Sequence, residues 1–322
     1  MQNKIRSCIL IFSLLAIALP ASASPLTAPL PAIRQAPDHQ LQQQLEQRIA
    51  RLHLSQAVRD KRLAIALVDL SNPATPALAQ VNGDEMMYAA SLPKIAVLLT
   101  AFELIQQGKL PLNEETRTTM TRMIRYSSNA DATAMINMVG KDYINQVMES
   151  PKYRLYDPEH NGGLWVGKEY AQGVPFHRDP LHHLSHGATA IQVARFYYML
   201  EKGRLVSPRY SAEMKEIMSN PGINHKFVKG LDAMHNPDIQ MYRKSGSWRN
   251  WHADSALIEH HGHSYIAVAL ADDPRGGVWM TKLIREMDDI IESPRASFVT
   301  ARVSASPARG DQSRNSSSVH LM

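Results

Sequence analysis

The stretch YAASLPKIAVLLTAFEL, residues 88–104, decides how the rest of the chain is read. From Ser91 to Ile105 apolar residues such as Ile95, Val97, Leu98, Leu99 and Phe102 fall on almost every side of a helix. A helix without a polar face belongs in the middle of a domain. Pro93 suits a first helical turn, where its missing N–H would be unbonded anyway, so Ser91 is placed at the helix N-terminus. Lys94, three residues on, shares a face with Ser91. A serine hydroxyl is a poor nucleophile until a neighbour takes its proton. Lysine can do this only once its ammonium has lost a proton, which burial and a second nearby cation promote. The apolar helix supplies the burial. Ser-x-x-Lys by itself still arises readily by chance.

The flanking segments set the architecture. An acidic cap at Asp38 precedes apolar positions Leu41, Leu45, Ile49 and Leu52, which predict a helix. LAIALVDL (63–70) reads as a strand, and 77–81 as its partner across the Asn72-Pro73 turn. Helical patterns return over 115–125, 130–139, 188–201 and 208–219; Met135 and Met138 are read as core. The period then changes. Residues 241–247, 252–260 and 263–270 predict three strands, the last two joined by a His261-Gly262 turn, and 278–291 closes with a helix. The order predicts an α+β fold: one antiparallel sheet built from both chain ends, with a helical lobe inserted between.

Two further motifs lie on these elements. Ser127-Ser128-Asn129 directly precedes a helix, where such residues routinely serve as caps. Lys244-Ser245-Gly246 lies in the first C-terminal strand, where glycine marks either a bulge or the close approach of another group. Ser-x-x-Lys, Ser-x-Asn and Lys-Ser-Gly, in that order and on those elements, resemble the motif set of penicillin-binding proteins and class A β-lactamases. LAIALVDL, YSSNADATAMIN (126–137), ATAIQVARFYYMLEKGRLVSP (188–208) and RKSGSW (243–248) support the resemblance, which covers residues 41–291. It implies the β-lactamase/transpeptidase-like fold and an acyl-enzyme on Ser91, with Lys94 as proton acceptor. Ser127 would relay a proton to the leaving nitrogen with help from Lys244, and Asn129 would hold the substrate's side-chain amide. Lys244 and Ser245 would bind its carboxylate, with Gly246 part of the same binding motif. The N–H groups of Ser91 and Ser247 would form the oxyanion hole.

The sequence departs from that family in one respect that matters to turnover. Class A enzymes activate the deacylating water with a glutamate followed four residues later by asparagine. Residues 156–186, YDPEHNGGLWVGKEYAQGVPFHRDPLHHLSH, lack that pattern and offer Asp157, Glu159 and Glu169, of which Glu169 is the first candidate. The segment between Ser91 and Ser127 is also shorter than the class norm.

Composition bounds the remaining possibilities. Hydrophobic content of 44% and charge of 20% are ordinary for a globular chain of 322 residues. Lys4 and Arg6, the apolar run from Ile9 to Leu19 and Ala21-Ser22-Ala23 form a signal-peptide pattern, so residues 1–23 are expected to be removed after Ala23 on export to the periplasm. The run is short for a membrane span, so no stable anchor is expected after cleavage. The single cysteine, Cys8, falls in this segment, which leaves a mature chain without disulfides or thiol chemistry. Net charge is +5, of which Lys4 and Arg6 supply two; the remaining +3, without a basic block, argues against nucleic acid. Residues 24–37 read as a linker, 38–293 as the catalytic domain and 294–322 as a disordered tail.

His177, His182, His183 and His186 lack a spacing that would fix metal geometry, and of the second group, His252, His260, His261 and His263, the pair His260 and His261 is expected to be exposed at a turn. Trp251 and His252 follow the Lys-Ser-Gly strand closely enough to line a cleft. No metal or cofactor is expected, and the chain is expected to be a monomer acting on a β-lactam or a D-alanine-type peptide. A D-alanyl-D-alanine-type peptidase and a penicillin sensor that stays acylated remain open. Glutaminase shares the serine–lysine pair but usually lacks an exported N-terminus and a Lys-Ser-Gly strand.

Overall fold

Residues 63–69 are buried at every position because the strand they form is covered on both faces. Ala64, Ala66 and Val68 pack into the helical lobe, while Leu63, Ile65 and Leu67 pack against the first and last helices of the domain. The computed structural model describes residues 32–293. The expected signal peptide, the start of the expected linker and the expected tail lie outside those residues.

In chain order the elements begin α1 (His39–Arg51), α2 (Ser55–Arg59), β1 (Leu63–Asp69), β2 (Ala77–Val81) and β3 (Met87–Tyr88). The lobe contains α3 (Lys94–Gln106), α4 (Glu114–Arg125), α5 (Asn129–Val139) and α6 (Lys141–Glu149). Short strands follow: β4 (Tyr156–Asp157), β5 (Gly162–Gly163), β6 (Trp165–Val166) and β7 (His186–Ala188). Then come α7 (Ala190–Glu201), α8 (Pro208–Met218), α9 (Phe227–Leu231), β8 (Gln240–Trp248), β9 (Trp251–His260), β10 (His263–Asp272) and α10 (Gly276–Glu292).

The main sheet has the order β2-β1-β10-β9-β8 with every pairing antiparallel, so strands from both ends of the chain meet at β1 and β10. This is the expected α+β architecture. α1 and α10 cover one face and α7 the other, with the lobe beyond it. The Asp38 side chain caps α1 by accepting from Leu41 N at 2.7 Å.

The structure differs from the sequence reading at several points. α3 starts at Lys94, not Ser91, because residues 91–93 form a succession of tight turns closed by three-residue bonds, entered from Ala90 at φ 50°. Ser91 instead sits in tight turns with bonds from Leu92 N to Ala89 O and from Lys94 N to Ser91 O. The end of the expected linker is packed: Ile33 is buried, and residues 36–38 run beside β2 through Leu78. Met138 is exposed, because the buried stripe of α5 runs through Ala132, Met135, Ile136 and Val139. The amphipathic α6 was not anticipated; only Ile144, Val147 and Met148 give it an apolar face.

Beneath the Lys-Ser-Gly strand lies a buried ion pair. Arg243 on β8 and Asp254 on β9 bond through Nε–Oδ1 and Nη2–Oδ2, both 2.7 Å, with almost no exposure of either side chain. Asp254 also accepts from the backbone of Phe227 and Ser255, and Arg243 donates to the carbonyls of Ile223 and His225. Asp254→Asn leaves a buried guanidinium without its counter-charge and should cost about 3–5 kcal/mol. Chemical denaturation checks this; a loss below about 1 kcal/mol, the range of an exposed pair, would refute the reading.

Candidate active site

The apolar packing of α3 forces the Lys94 side chain into the protein, where it is fully buried. Burial pushes its pKa down from 10.5 to about 7, opposed by the field of Asp131. Its Nζ donates to the Ser127 carbonyl at 2.6 Å and to Asn129 Oδ1 at 2.8 Å, with the Ser127 hydroxyl at 3.4 Å. A neutral amine has two N–H groups, and the two close acceptors match them. The lone pair is left for the hydroxyl side.

The second lysine arrives from the sheet. Lys244 on β8 is buried, and its Nζ reaches the Ser127 hydroxyl at 2.9 Å and the Ser245 carbonyl at 2.7 Å. Burial first, and then the charge of Lys94, hold its pKa well below the usual lysine value. Ser127 therefore presents one hydroxyl to two lysines. It does so from a left-handed backbone conformation, φ 57°, of the kind that concentrates at functional sites. The helix-capping role considered for this motif falls to its neighbour: Ser128 Oγ accepts from Asp131 N at 3.2 Å.

Gly246 brings the sheet against the turn that carries Ser91. A Cβ at that position would lie 2.1 Å from the Ala89 carbonyl oxygen and 2.8 Å from the Ser91 nitrogen, so only glycine permits the approach. Ser91, Lys94, Ser127, Asn129 and Lys244 through Ser247 are thus gathered where three segments meet. Asn129 points its oxygen at Lys94, which leaves its NH2 group for the cleft that it lines.

Two groups at this site carry no recognisable motif. Lys226 is buried, and its Nζ donates to the Gly246 carbonyl at 2.5 Å, to Ser247 Oγ at 2.8 Å and to the Ala253 carbonyl at 3.0 Å. Burial lowers its pKa to about 8. His225 Nε2 lies 3.1 Å from Ser245 Oγ, and burial followed by the Arg243 and Lys226 charges pushes its pKa to about 4, so the ring is neutral at pH 7. The sequence reading singled out neither residue, because a His-Lys dipeptide outside any periodic element carries no pattern.

An open cleft of about 770 Å³ borders Asn129 and is lined by Tyr88, Tyr170, Trp248 and Trp251 with Lys168 and Arg249. Trp251 faces it as expected. His252 turns away, packing against Gly276 at the start of α10, as alternation along a strand requires.

The acid candidates sit elsewhere. Glu169 lines the cleft, but its carboxylate is bound to Lys141 Nζ at 2.6 Å. Asp157 is tied to Arg154 and His160, and Glu159 to Arg154. Tyr170 occupies the position beside Lys94: Nζ lies 4.4 Å from its ring centroid, and its hydroxyl donates to the Ala90 carbonyl at 3.3 Å. Burial raises the Tyr170 pKa well above its usual value, so it stays a neutral phenol. Its ring lies 4.4 Å from that of His186, whose Nε2 donates to the Lys168 carbonyl. The other histidines of that loop scatter: His177 packs edge-on against Trp165, His182 bonds Asn161, and the His183 carbonyl accepts from Arg178.

The family model that describes the beta-lactamase enzyme family matches residues 44–119 and 115–292, and the chain belongs to that family. Solved structures with the same fold include a mutant of PBP-A in an acyl-enzyme complex with penicillin G, at TM-score 0.58 and 20% identity over 80% of this chain and 97% of that one. A β-lactamase from Sphaerobacter thermophilus aligns at TM-score 0.58 and 14% identity, covering 77% and 96%. A class A β-lactamase from Bacteroides cellulosilyticus aligns at TM-score 0.57 and 17% identity, covering 78% and 96%. No curated protein sequence matches the chain significantly.

The electrostatics of the site can be measured without a substrate. The Lys94 amine should titrate near pH 7, seen in the pH-dependent NMR shift of its side-chain carbon next to Nζ and assigned by loss of the signal in Lys94→Arg. A midpoint near the ordinary lysine value of about 10.4 would overturn the reading.

Proposed function

We propose that this chain is an exported active-site-serine hydrolase that opens β-lactams by acylation on Ser91 and releases the product slowly. The observation that carries the reading is the Ser127 hydroxyl held between Lys94 and Lys244, next to the turn bearing Ser91. Neutral Lys94 accepts the Ser91 proton as the oxygen attacks the lactam carbonyl. The Ser127 hydroxyl then passes its proton to the leaving nitrogen and is resupplied from Lys94, while Lys244 stabilises the transient charge on its oxygen. The N–H groups of Ser91 and Ser247 receive the oxyanion; such a donor is worth about 2.7–4 kcal/mol. Asn129 offers its NH2 to the acyl side-chain carbonyl. Ser245 and Lys244 take the substrate carboxylate, with Lys226 adding positive charge behind Gly246 and Ser247.

Deacylation is the weak step. A water needs a base positioned within hydrogen-bond reach. Beside Lys94 stands a neutral phenol, and Glu169 is held by Lys141. The same feature supports a second reading, a D-alanyl-D-alanine-type peptidase whose peptide acyl group is the natural one and for which a β-lactam is a trap. Export rests on the pattern of residues 4–23. Among the described residues, no helix is long and apolar enough to cross a membrane.

Intact-mass measurement of the protein mixed with penicillin G should show a single adduct that persists, absent in Ser91→Ala. Tyr170→Glu should shorten its lifetime by about 10²-fold, the contribution of a placed general base. An adduct retained in Ser91→Ala would end the assignment of the nucleophile, and one that clears within seconds in the wild type would end the slow-release reading. Release of D-alanine from a D-alanyl-D-alanine peptide would select the peptidase reading. The acylation rate should rise with pH through about 7, because Lys94 becomes neutral, and thus a base, above its pKa. A rate that falls over that range would exclude Lys94 as the proton acceptor.

A further inference from the structure

Far along β9 from the cleft, the sheet ends in a group of side chains that the proposed reaction does not use. We propose that the β9–β10 turn and the end of α10 form a binding site for a divalent transition ion such as Zn2+, held by His260 Nδ1, His261 Nδ1 and Glu292 Oε1. Successive residues of a strand point to opposite faces. His261 escapes that rule because the turn gives it φ 46°, and its ring stacks on that of His260 with centroids 3.9 Å apart. Contrary to expectation, His260 is buried; only His261 is exposed.

Glu292 Oε1 lies 3.0 Å from His260 Nδ1 and 2.5 Å from His261 Nδ1, and the three donor atoms lie within 4.8 Å of one another. Metal–ligand bonds of about 2.0–2.2 Å fit between them after a small outward shift of the carboxylate. Two imidazoles and a carboxylate suit zinc, copper or nickel better than calcium or magnesium. Asp288, whose Oδ2 is 3.0 Å from His260 Nδ1, is available as a further donor and is oriented by the Tyr265 hydroxyl at 2.7 Å. Among the described residues His260 Nε2 is buried without a hydrogen-bond partner, so no described group on that side of the ring holds the proton arrangement that a metal would have to change.

The charge pattern points the same way. The last turns of α10 bear Asp288, Asp289 and Glu292 with no basic residue in the final turn. A helix C-terminus is its negative end, where carboxylates are unfavourable and cations are stabilised. Asp289 is answered by Arg48. Asp288 and Glu292 are met only by His260, His261 and the Tyr265 hydroxyl among the described residues. A divalent ion between His260, His261 and Glu292 would add a full positive charge there and fasten the hairpin to the closing helix. Access is open, since His261 and Glu292 both reach solvent.

The test uses untagged full chain stripped with a chelator, Zn2+ as the probe, and titration calorimetry with thermal melting as readouts. The wild type should bind one ion saturably and melt at a higher temperature with it. His261→Ala and Glu292→Gln, both at partly exposed positions, should each weaken binding at least about tenfold. They should also lose the thermal shift, while penicillin acylation stays unchanged. Absence of saturable binding by the wild type, or equal affinity in both variants, would overturn the proposal.

Discussion

Burying two lysines against one hydroxyl is the constraint around which this molecule is arranged. Each ammonium group loses its hydration, and the charge of Lys94 acts further on Lys244, so both amines hold their protons less tightly than an ordinary lysine. Among the described residues no carboxylate in direct contact relieves this: Asp131 acts on Lys94 from a distance while bound to Arg122. What it supplies instead are oriented acceptors, the Ser127 carbonyl and Asn129 Oδ1, which hold the amine in one direction whatever its charge. The left-handed conformation of Ser127 turns both its carbonyl and its hydroxyl toward the lysines. Ser128 meanwhile starts α5 and anchors the turn.

A second set of contacts transmits this arrangement to the anion side of the site. Arg243 and Asp254 are paired where water cannot reach, and replacing such a pair by apolar residues is often neutral for stability. Its structural consequence is geometric. Together the two side chains collect the backbone at Ile223, His225 and Phe227, which places His225 on Ser245 and Lys226 beneath Gly246. The close approach of Gly246 to the Ser91 turn would have little use without that support behind the strand.

The sheet, the buried helix and the three motifs were legible in the sequence because each rests on local pattern. LAIALVDL is apolar throughout since both its faces are covered, and Ser-x-x-Lys, Ser-x-Asn and Lys-Ser-Gly keep their spacing on recognisable elements. What escaped depends on contacts between distant segments or on single backbone angles. Lys226 reaches the site from a residue with φ 50°, which no periodicity announces. Glu169 and Tyr170 are adjacent, and only packing decides which of them faces Lys94 and which is drawn to Lys141. His260 was expected to be exposed near its turn, yet α10 folds back over it. Ile33 lay in a Pro- and Ala-rich stretch whose composition concealed a core residue.

The three lysines also suggest how substrate charge and base activation are linked in the proposed reaction. Without an anion, Lys244 and Lys226 are both disfavoured as cations by burial. A substrate carboxylate arriving at Ser245 favours the protonated form of Lys244, which then holds a full positive charge across the Ser127 hydroxyl from Lys94. That charge opposes protonation of Lys94, while the carboxylate, one residue further out, favours it more weakly because attraction falls with distance. In that reading an anion at Ser245 acts through Lys244 to favour the neutral form of Lys94, so substrate recognition and base activation reinforce each other. Had a glutamate stood where Tyr170 stands, its negative charge would have drawn a proton back to Lys94. In the proposed reaction a neutral phenol removes that competition at the acylation step and offers the later water no base, so both effects trace to the same side chain.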